Sequence, residues 1–250
     1  MARRPQHKIS AVLLAALAAA TLAAAIPASA SAEGRGPSDD SRASSSLDAA
    51  SSAIPTSARP LVTDAARSEA VLRPEGGKAV ATAVATSGCD GCSGTATTLQ
   101  TVTLAGRAAA IGDNVATAWS SCAGCSSTAV SVQIITGPKA AAVQANNRSL
   151  ALNVACSGCR TTAVALQFVI LGGTRRDLSA QTKALIQRIE QELGLTLSAQ
   201  NARKDDDPSE SGHDDARRSA DESAERARQA IKDDTGADDV STRVDVEIGD

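Results

Sequence analysis

Six cysteines carry the reactive chemistry of this chain, and they fall in three pairs of one form. Cys89-Asp90-Gly91-Cys92, Cys122-Ala123-Gly124-Cys125 and Cys156-Ser157-Gly158-Cys159 each read C-x-G-C. Their first cysteines lie 33 and then 34 residues apart. Paired thiols at this spacing can do three things. They can close disulfides, which persist in an oxidising compartment. They can exchange disulfides, one thiolate attacking and the other resolving the mixed disulfide. Two such pairs can also hold a tetrahedral zinc ion.

The surrounding residues favour the structural use. An exchange enzyme activates one cysteine at a helix N-terminus, whereas three near-equal copies here precede alternating, strand-like segments. Arg160 follows Cys159 and would lower its thiol pKa; Asp90 would raise those of Cys89 and Cys92. For zinc, three pairs leave two thiols over. The two histidines are far from the motifs, His7 near the start and His213 in an acidic stretch. We therefore take Cys89, Cys92, Cys122, Cys125, Cys156 and Cys159 as disulfide candidates. Six cysteines allow fifteen connectivities. Pairing within a motif and pairing between motifs both remain open, with exchange and metal binding as the alternatives.

The motifs belong to a longer repeat. Thr95-Ala96, Thr128-Ala129 and Thr162-Ala163 align behind them, followed by Leu99-Gln100, Val132-Gln133 and Leu166-Gln167. Three copies in register mark a repeated supersecondary unit of about 33 residues. The glutamines fit a hydrogen-bonded ladder inside a sheet. This pattern resembles secreted and envelope-associated proteins of high-GC Gram-positive bacteria, whose tandem C-x-x-C repeats precede an A-x-x-x-Q-aromatic run. The resemblance covers about residues 76–197. Phe168 keeps the aromatic in the third copy; Thr101 and Ile134 replace it in the first two. It implies an exported location and a repeat architecture, and no activity.

The elements that position the motifs follow from periodicity. Thr162, Val164, Leu166, Phe168 and Ile170 alternate with Ala163, Ala165, Gln167, Val169 and Leu171. Both sets are largely apolar, so this is a well-buried strand. Val130, Val132 and Ile134 repeat it, ending at Gly137-Pro138. Before the motifs, Val80, Thr82 and Val84 and later Leu150, Leu152 and Val154 alternate as strands do. A helix ending at the cysteines competes, since alanine is abundant. The poor helix propensity of Val, Thr and Asn favours β-hairpins with each C-x-G-C as the turn. Its glycine would supply a positive φ.

The fold class expected is α+β: a small domain of three C-x-G-C hairpin units at 76–197, closed by a helix over 178–193. That helix has Asp177 or Ser179 as its cap and Gly194 as its stop. Residues 198–250 form an acidic tail with a possible helix at 214–232 and a half-buried strand at 240–248. Residues 33–75, rich in Ser, Ala and Pro, read as a disordered spacer with a weak helical pattern at 61–72. Residues 1–32 form a signal peptide. Arg3, Arg4 and Lys8 precede the apolar run Ile9 to Ile26, and Ala28-Ser29-Ala30 or Ala30-Ser31-Ala32 offers the cleavage site.

Composition excludes several functions. The full chain has 25 Lys and Arg against 28 Asp and Glu, and three of the basic residues lie in the leader. The repeat segment is mildly basic and the tail strongly acidic, and Trp119 and Phe168 are the only aromatics. No basic stripe interleaves with stacking rings, so no nucleic acid partner is expected. Without a histidine near the cysteines, no catalytic residue is assigned, nor any cofactor or metal. The expectation is a secreted or cell-envelope protein, non-enzymatic and structural or interacting. Its partner would be an unidentified envelope or extracellular protein, and no membrane span would remain after leader cleavage.

Overall fold

The computed structural model describes residues 46–203 and 210–249. The expected leader, the first part of the spacer and the run Asp205-Asp206-Asp207-Pro208 lie outside these residues.

The repeat is a rung of a two-sheet parallel β-solenoid. Eight strands alternate between two sheets: β1 (Ser46–Ala53), β2 (Leu61–Leu72), β3 (Gly77–Ser87), β4 (Ser93–Leu104), β5 (Ala109–Ser120), β6 (Ser126–Gly137), β7 (Ala142–Asn153) and β8 (Arg160–Leu171). One sheet runs β1-β3-β5-β7, all parallel. The other runs β2-β4-β6-β8, parallel, and is extended by β9 (Ser241–Gly249), which joins β8 antiparallel.

This corrects the hairpin expectation. The strands before and after each C-x-G-C belong to opposite sheets and do not pair with each other. Each pairs instead with its counterpart one repeat away. Thr95, Thr128 and Thr162 stack in register, as do Ala96, Ala129 and Ala163, and Gln100, Gln133 and Gln167. Like sits on like because strands of one length recur on each rung and the one extra residue of the last repeat is taken up outside them, in the third corner. C-x-G-C is thus a corner between sheets. Its glycine does adopt positive φ, at 69°, 60° and 67° for Gly91, Gly124 and Gly158.

The side chains set the spacing of the sheets. Near the cysteine corners the interior is almost all alanine, including Ala83, Ala85, Ala116, Ala118, Ala129 and Ala163. Toward the opposite corners it widens to take Leu72, Val102, Leu104 and Ile135. Between these zones lies Gly112; a Cβ there would meet Ile135 Cδ1 at 2.3 Å.

The other face of β4, β6 and β8 carries the large residues Leu99, Val132, Ile134, Leu166, Phe168 and Ile170. Two helices cover it: α1 (Ala180–Asn201) and α2 (Glu210–Thr235). Ser179 caps α1, accepting from the Thr182 N–H at 3.2 Å. Gly194 does not stop α1 but lies inside it, where Thr97 Cγ2 would come within 2.9 Å of a Cβ. The helix α2 docks through a stripe of small residues, Ala216, Ala220, Ala224 and Ala227, ending at Ile231. Alanines at three- and four-residue intervals bury one face without adding bulk. The acidic segment is therefore an integral part of the fold: α2 packs into the core and β9 completes the sheet. The described residues are mostly β with two helices, so α+β describes them only in part.

The spacer expectation for 33–75 also fails from Ser46 onward. Residues 46–72 form a first rung, β1 and β2, and the weak helical pattern at 61–72 is strand β2. This rung has no cysteines. Its corner is closed by Thr56 and Arg59, which exchange backbone hydrogen bonds at 3.0 and 2.9 Å. Pairing with β3 and β4 overrides its polar, alanine-rich composition.

Candidate functional site

The corners bring all six cysteines into one column along the solenoid. Three disulfides close locally: Cys89–Cys92, Cys122–Cys125 and Cys156–Cys159. Backbone hydrogen bonds continue through the corners, from Gly91 N–H to Ala123 O and from Gly124 N–H to Ser157 O, both at 2.8 Å. Asp90 joins the first two corners, its Oδ1 accepting from the Ala123 N–H at 2.8 Å.

The three pairs differ in access. Cys122 and Cys125 are 8% and 1% exposed, whereas Cys156 and Cys159 are both half-buried and Cys89 is half-buried beside a buried Cys92. The third corner carries one extra residue. Val154 N–H donates to Ser120 O as Ser121 N–H does to Ser87 O, so the insertion is Ala155. It sits at φ 50°, in the left-handed region. Across the last two rungs, the sulfurs of Cys125 and Cys159 approach to 3.3 Å. Those of Cys125, Cys156 and Cys159 lie within 4.8 Å of one another.

Behind the cysteines run polar ladders. Gln133 Nε2 donates to Gln100 Oε1 at 2.6 Å and Gln167 Nε2 to Gln133 Oε1 at 2.7 Å. Each amide also donates to carbonyls of the opposite sheet, such as Val80 O for Gln100 and Gly112 O for Gln167. These glutamines are therefore ties between the sheets. A second ladder escaped the sequence reading: Asn114 Nδ2 donates to Asn147 Oδ1 at 2.7 Å. Its signal was present, since Asp113-Asn114 and Asn146-Asn147 lie 33 residues apart. Asn147 is half-buried and donates to Ala165 O at 2.8 Å.

Asp113 bridges three rungs of the outer face. Lys78 Nζ reaches its Oδ2 at 2.6 Å and Asn146 Nδ2 its Oδ1 at 2.6 Å. Those two hydrogen bonds hold its carboxyl below the usual aspartate range despite partial burial. Asp234, near the end of α2, sets its carboxylate against the start of α1. Burial pushes its carboxyl up, but the Ser179 N–H at 2.6 Å, with Thr182 and Arg175, outweighs that and lowers it. Glu190 is the opposite case. It is buried under β2 and β4, and burial raises its pKa although Thr97 and Arg67 pull the other way. Arg67 Nη2 stands 3.4 Å from Oε2. His213 is exposed on α2.

Among the described residues nothing packs over the outer face of β3, β5 and β7, and it carries an apolar strip beside the corner. Leu150, Leu152 and Val154 are 48%, 45% and 45% exposed, and half-buried Trp119 pairs in register with Leu152. Among the described residues, no helix is long and apolar enough to cross a membrane.

Fold and site together define a class: a disulfide-stapled parallel β-solenoid with a helical cover on one sheet. No family model matches the chain, and neither a curated protein nor a solved structure matches it.

Proposed function

We propose that this is an exported, non-enzymatic module of the cell envelope or extracellular space that binds another protein through the uncovered sheet. The observation that carries this reading is the asymmetry of the two outer faces. One is sealed by α1 and α2; the other presents Trp119, Leu150, Leu152 and Val154 on a rigid frame. Exposed apolar residues clustered on a rigid sheet are a common basis of protein association. Local disulfides at three corners fit an oxidising compartment, as do the leader-like N-terminus and the resemblance of the repeats to envelope proteins.

The test has two parts. The chain is expressed with its own leader, and the secreted product is weighed after alkylation with and without reduction. A mass beginning at Ser31 or Glu33, with alkylation only after reduction, supports export and stapling. Retention on envelope fractions of the source cell is then compared with that of Leu150→Glu/Leu152→Glu. Equal retention of the two proteins argues against the apolar strip as the binding face.

One observation favours a second reading, in which the C-x-G-C pairs serve thiol exchange or metal binding. It is the clustering of Cys125, Cys156 and Cys159. Turnover in an insulin-reduction assay, or unfolding of the reduced protein by a chelator, would support it.

A further inference from the structure

We propose that the second and third corners form an intramolecular thiol–disulfide relay, in which Cys159 passes reduction from the accessible third pair to the buried middle pair through Cys125. The inference depends on neither reading of function, since it concerns exchange within the chain.

Three observations carry it. The first is proximity. The Cys125 and Cys159 sulfurs stand 3.3 Å apart although each is bonded to another partner. The second is backbone geometry. Arg160 N–H donates to Cys125 O at 3.1 Å, and the next residues, Ser126 and Arg160, are paired in the ladder. Adjacent strands lie about 4.8 Å apart, inside the Cα separation of roughly 4.4–6.8 Å that a disulfide spans. A Cys125–Cys159 bond therefore needs side-chain rotation and an approach of the two Cβ atoms by about 1 Å or less. The third is access. The middle pair is closed to solvent, while both cysteines of the third pair are half-exposed. Arg160 also adjoins Cys159, and it is the only basic residue next to any of the six cysteines. A neighbouring cation favours the thiolate.

The steps balance with an external dithiol as reductant. Its two thiols become a disulfide while Cys156 and Cys159 become thiols, taking up two electrons and two protons. The Cys159 thiolate then attacks Cys125 Sγ. The Cys125–Cys159 bond forms, the Cys122–Cys125 bond breaks, and its electron pair leaves on Cys122, which takes the proton that Cys159 released. This cross-rung disulfide, with Cys122 and Cys156 free, is resolved when the Cys156 thiolate attacks Cys159 Sγ. The Cys156–Cys159 bond re-forms and the Cys125–Cys159 bond breaks. Cys125 leaves with the electron pair and takes the proton that Cys156 released, so the middle pair ends reduced.

The test uses the full oxidised protein, first in the variant Cys156→Ser. It leaves Cys159 with no partner in its own corner. Acid quenching, alkylation and peptide mapping should find Cys125 joined to Cys159 in most molecules, with Cys122 alkylated and the protein monomeric on a non-reducing gel. An intact Cys122–Cys125 bond beside an alkylated Cys159 overturns the proposal. If the variant does not melt cooperatively, Cys122→Ser replaces it. There the Cys125 thiol should displace Cys156, and an alkylated Cys125 overturns the relay. Graded dithiol on the wild-type protein gives an independent readout. The Cys125–Cys159 peptide should rise before the middle pair is fully reduced. Its absence at every dithiol ratio, or reduction of the middle pair before the third, overturns the proposal.

Discussion

Gln133 lies one rung above Gln100 and donates its amide hydrogen to the Gln100 Oε1 at 2.6 Å, in the space between the two sheets. The same amide nitrogen reaches Ala79 O and Asp113 O on the opposite sheet, each at 3.2 Å. One side chain thus ties two rungs and two sheets. Gln133→Leu would remove the two amide hydrogens that the Gln100 oxygen and these carbonyls share, and the acceptor of the Gln167 amide. Unsatisfied buried polar groups cost about 1–3 kcal/mol each at most sites. We expect a loss of about 2 kcal/mol or more in urea unfolding, larger than for Gln100→Leu at the end of the ladder.

The corner disulfides should act mainly on the unfolded chain. Each closes a four-residue loop, for which chain-entropy arithmetic gives about 2 kcal/mol. Cys89→Ser/Cys92→Ser should therefore lower the unfolding free energy by that amount and leave the far-ultraviolet circular dichroism unchanged. The cysteine-free first rung, closed by Thr56 and Arg59, indicates that a corner forms without sulfur. Loss of the β spectrum in this variant would contradict that view.

Glu190 should make the fold more stable in mild acid than at neutral pH. Its folded pKa is raised by burial. The folded state therefore holds its proton more tightly than the unfolded state does, and stability rises as pH falls from above the folded value toward the ordinary glutamate value. Glu190→Gln should remove that slope and raise the melting temperature at pH 7. About 2–4 °C corresponds to 1 kcal/mol in a chain of this size. Thermal melts of both proteins from about pH 4.5 to 8, a span that brackets the ordinary glutamate value and neutrality, check it.

Asp113 and Asp234 have the opposite sign. Hydrogen bonds from Lys78 and Asn146 depress the first, and those from Ser179, Thr182 and Arg175 outweigh burial at the second. Their contribution is fully present above the ordinary aspartate pKa of about 3.9 and is lost as pH falls through the depressed folded values. Asp234→Asn should shrink the acid-induced loss of stability below about pH 4. An unchanged acid limb would refute the assignment.

Gly112 fixes how closely the sheets approach. A valine there would place its Cβ against Ile135 Cδ1 and Gln133 Oε1, at 2.3 and 2.8 Å. Overpacking of this kind costs about 1–3 kcal/mol. Gly112→Val should destabilise more than Gly88→Val, because nothing lies within 4 Å of a Cβ at Gly88. Urea unfolding of the two variants side by side checks the order.

The columns of the solenoid were legible in the sequence because the segments after each C-x-G-C keep their length and offsets. The C-x-G-C, Thr-Ala and Gln positions that align on paper are the ones that stack. The two faces of β8 were also legible, since Phe168 and its neighbours meet the helices while Ala163, Ala165 and Gln167 meet the opposite sheet. The pairing of the strands was not. A hairpin and a corner both put a glycine turn between alternating segments, and the difference lies in which strand each pairs with. Recurrence of identical residues at 33-residue spacing was the clue to like-on-like stacking. The first rung was hidden because Ser68 occupies the ladder position of Gln100 and Asp64 that of Ala96. The docking of α2 was hidden because its contact stripe is alanine, which reads as neutral.

The helical cover also counts the rungs. Packed helices lie about 8–10 Å apart and strands about 4.8 Å apart, so two helices roof roughly four strands. They lie mainly over β4, β6, β8 and β9, and α1 reaches the margin of β2 through the ion pairs Glu190–Arg67 and Lys183–Glu69. A duplicated 33-residue unit inserted in the middle would stack without difficulty, but it would leave one apolar strand without a roof. The length of this solenoid is thus gauged by its helices, and a longer relative would need a third.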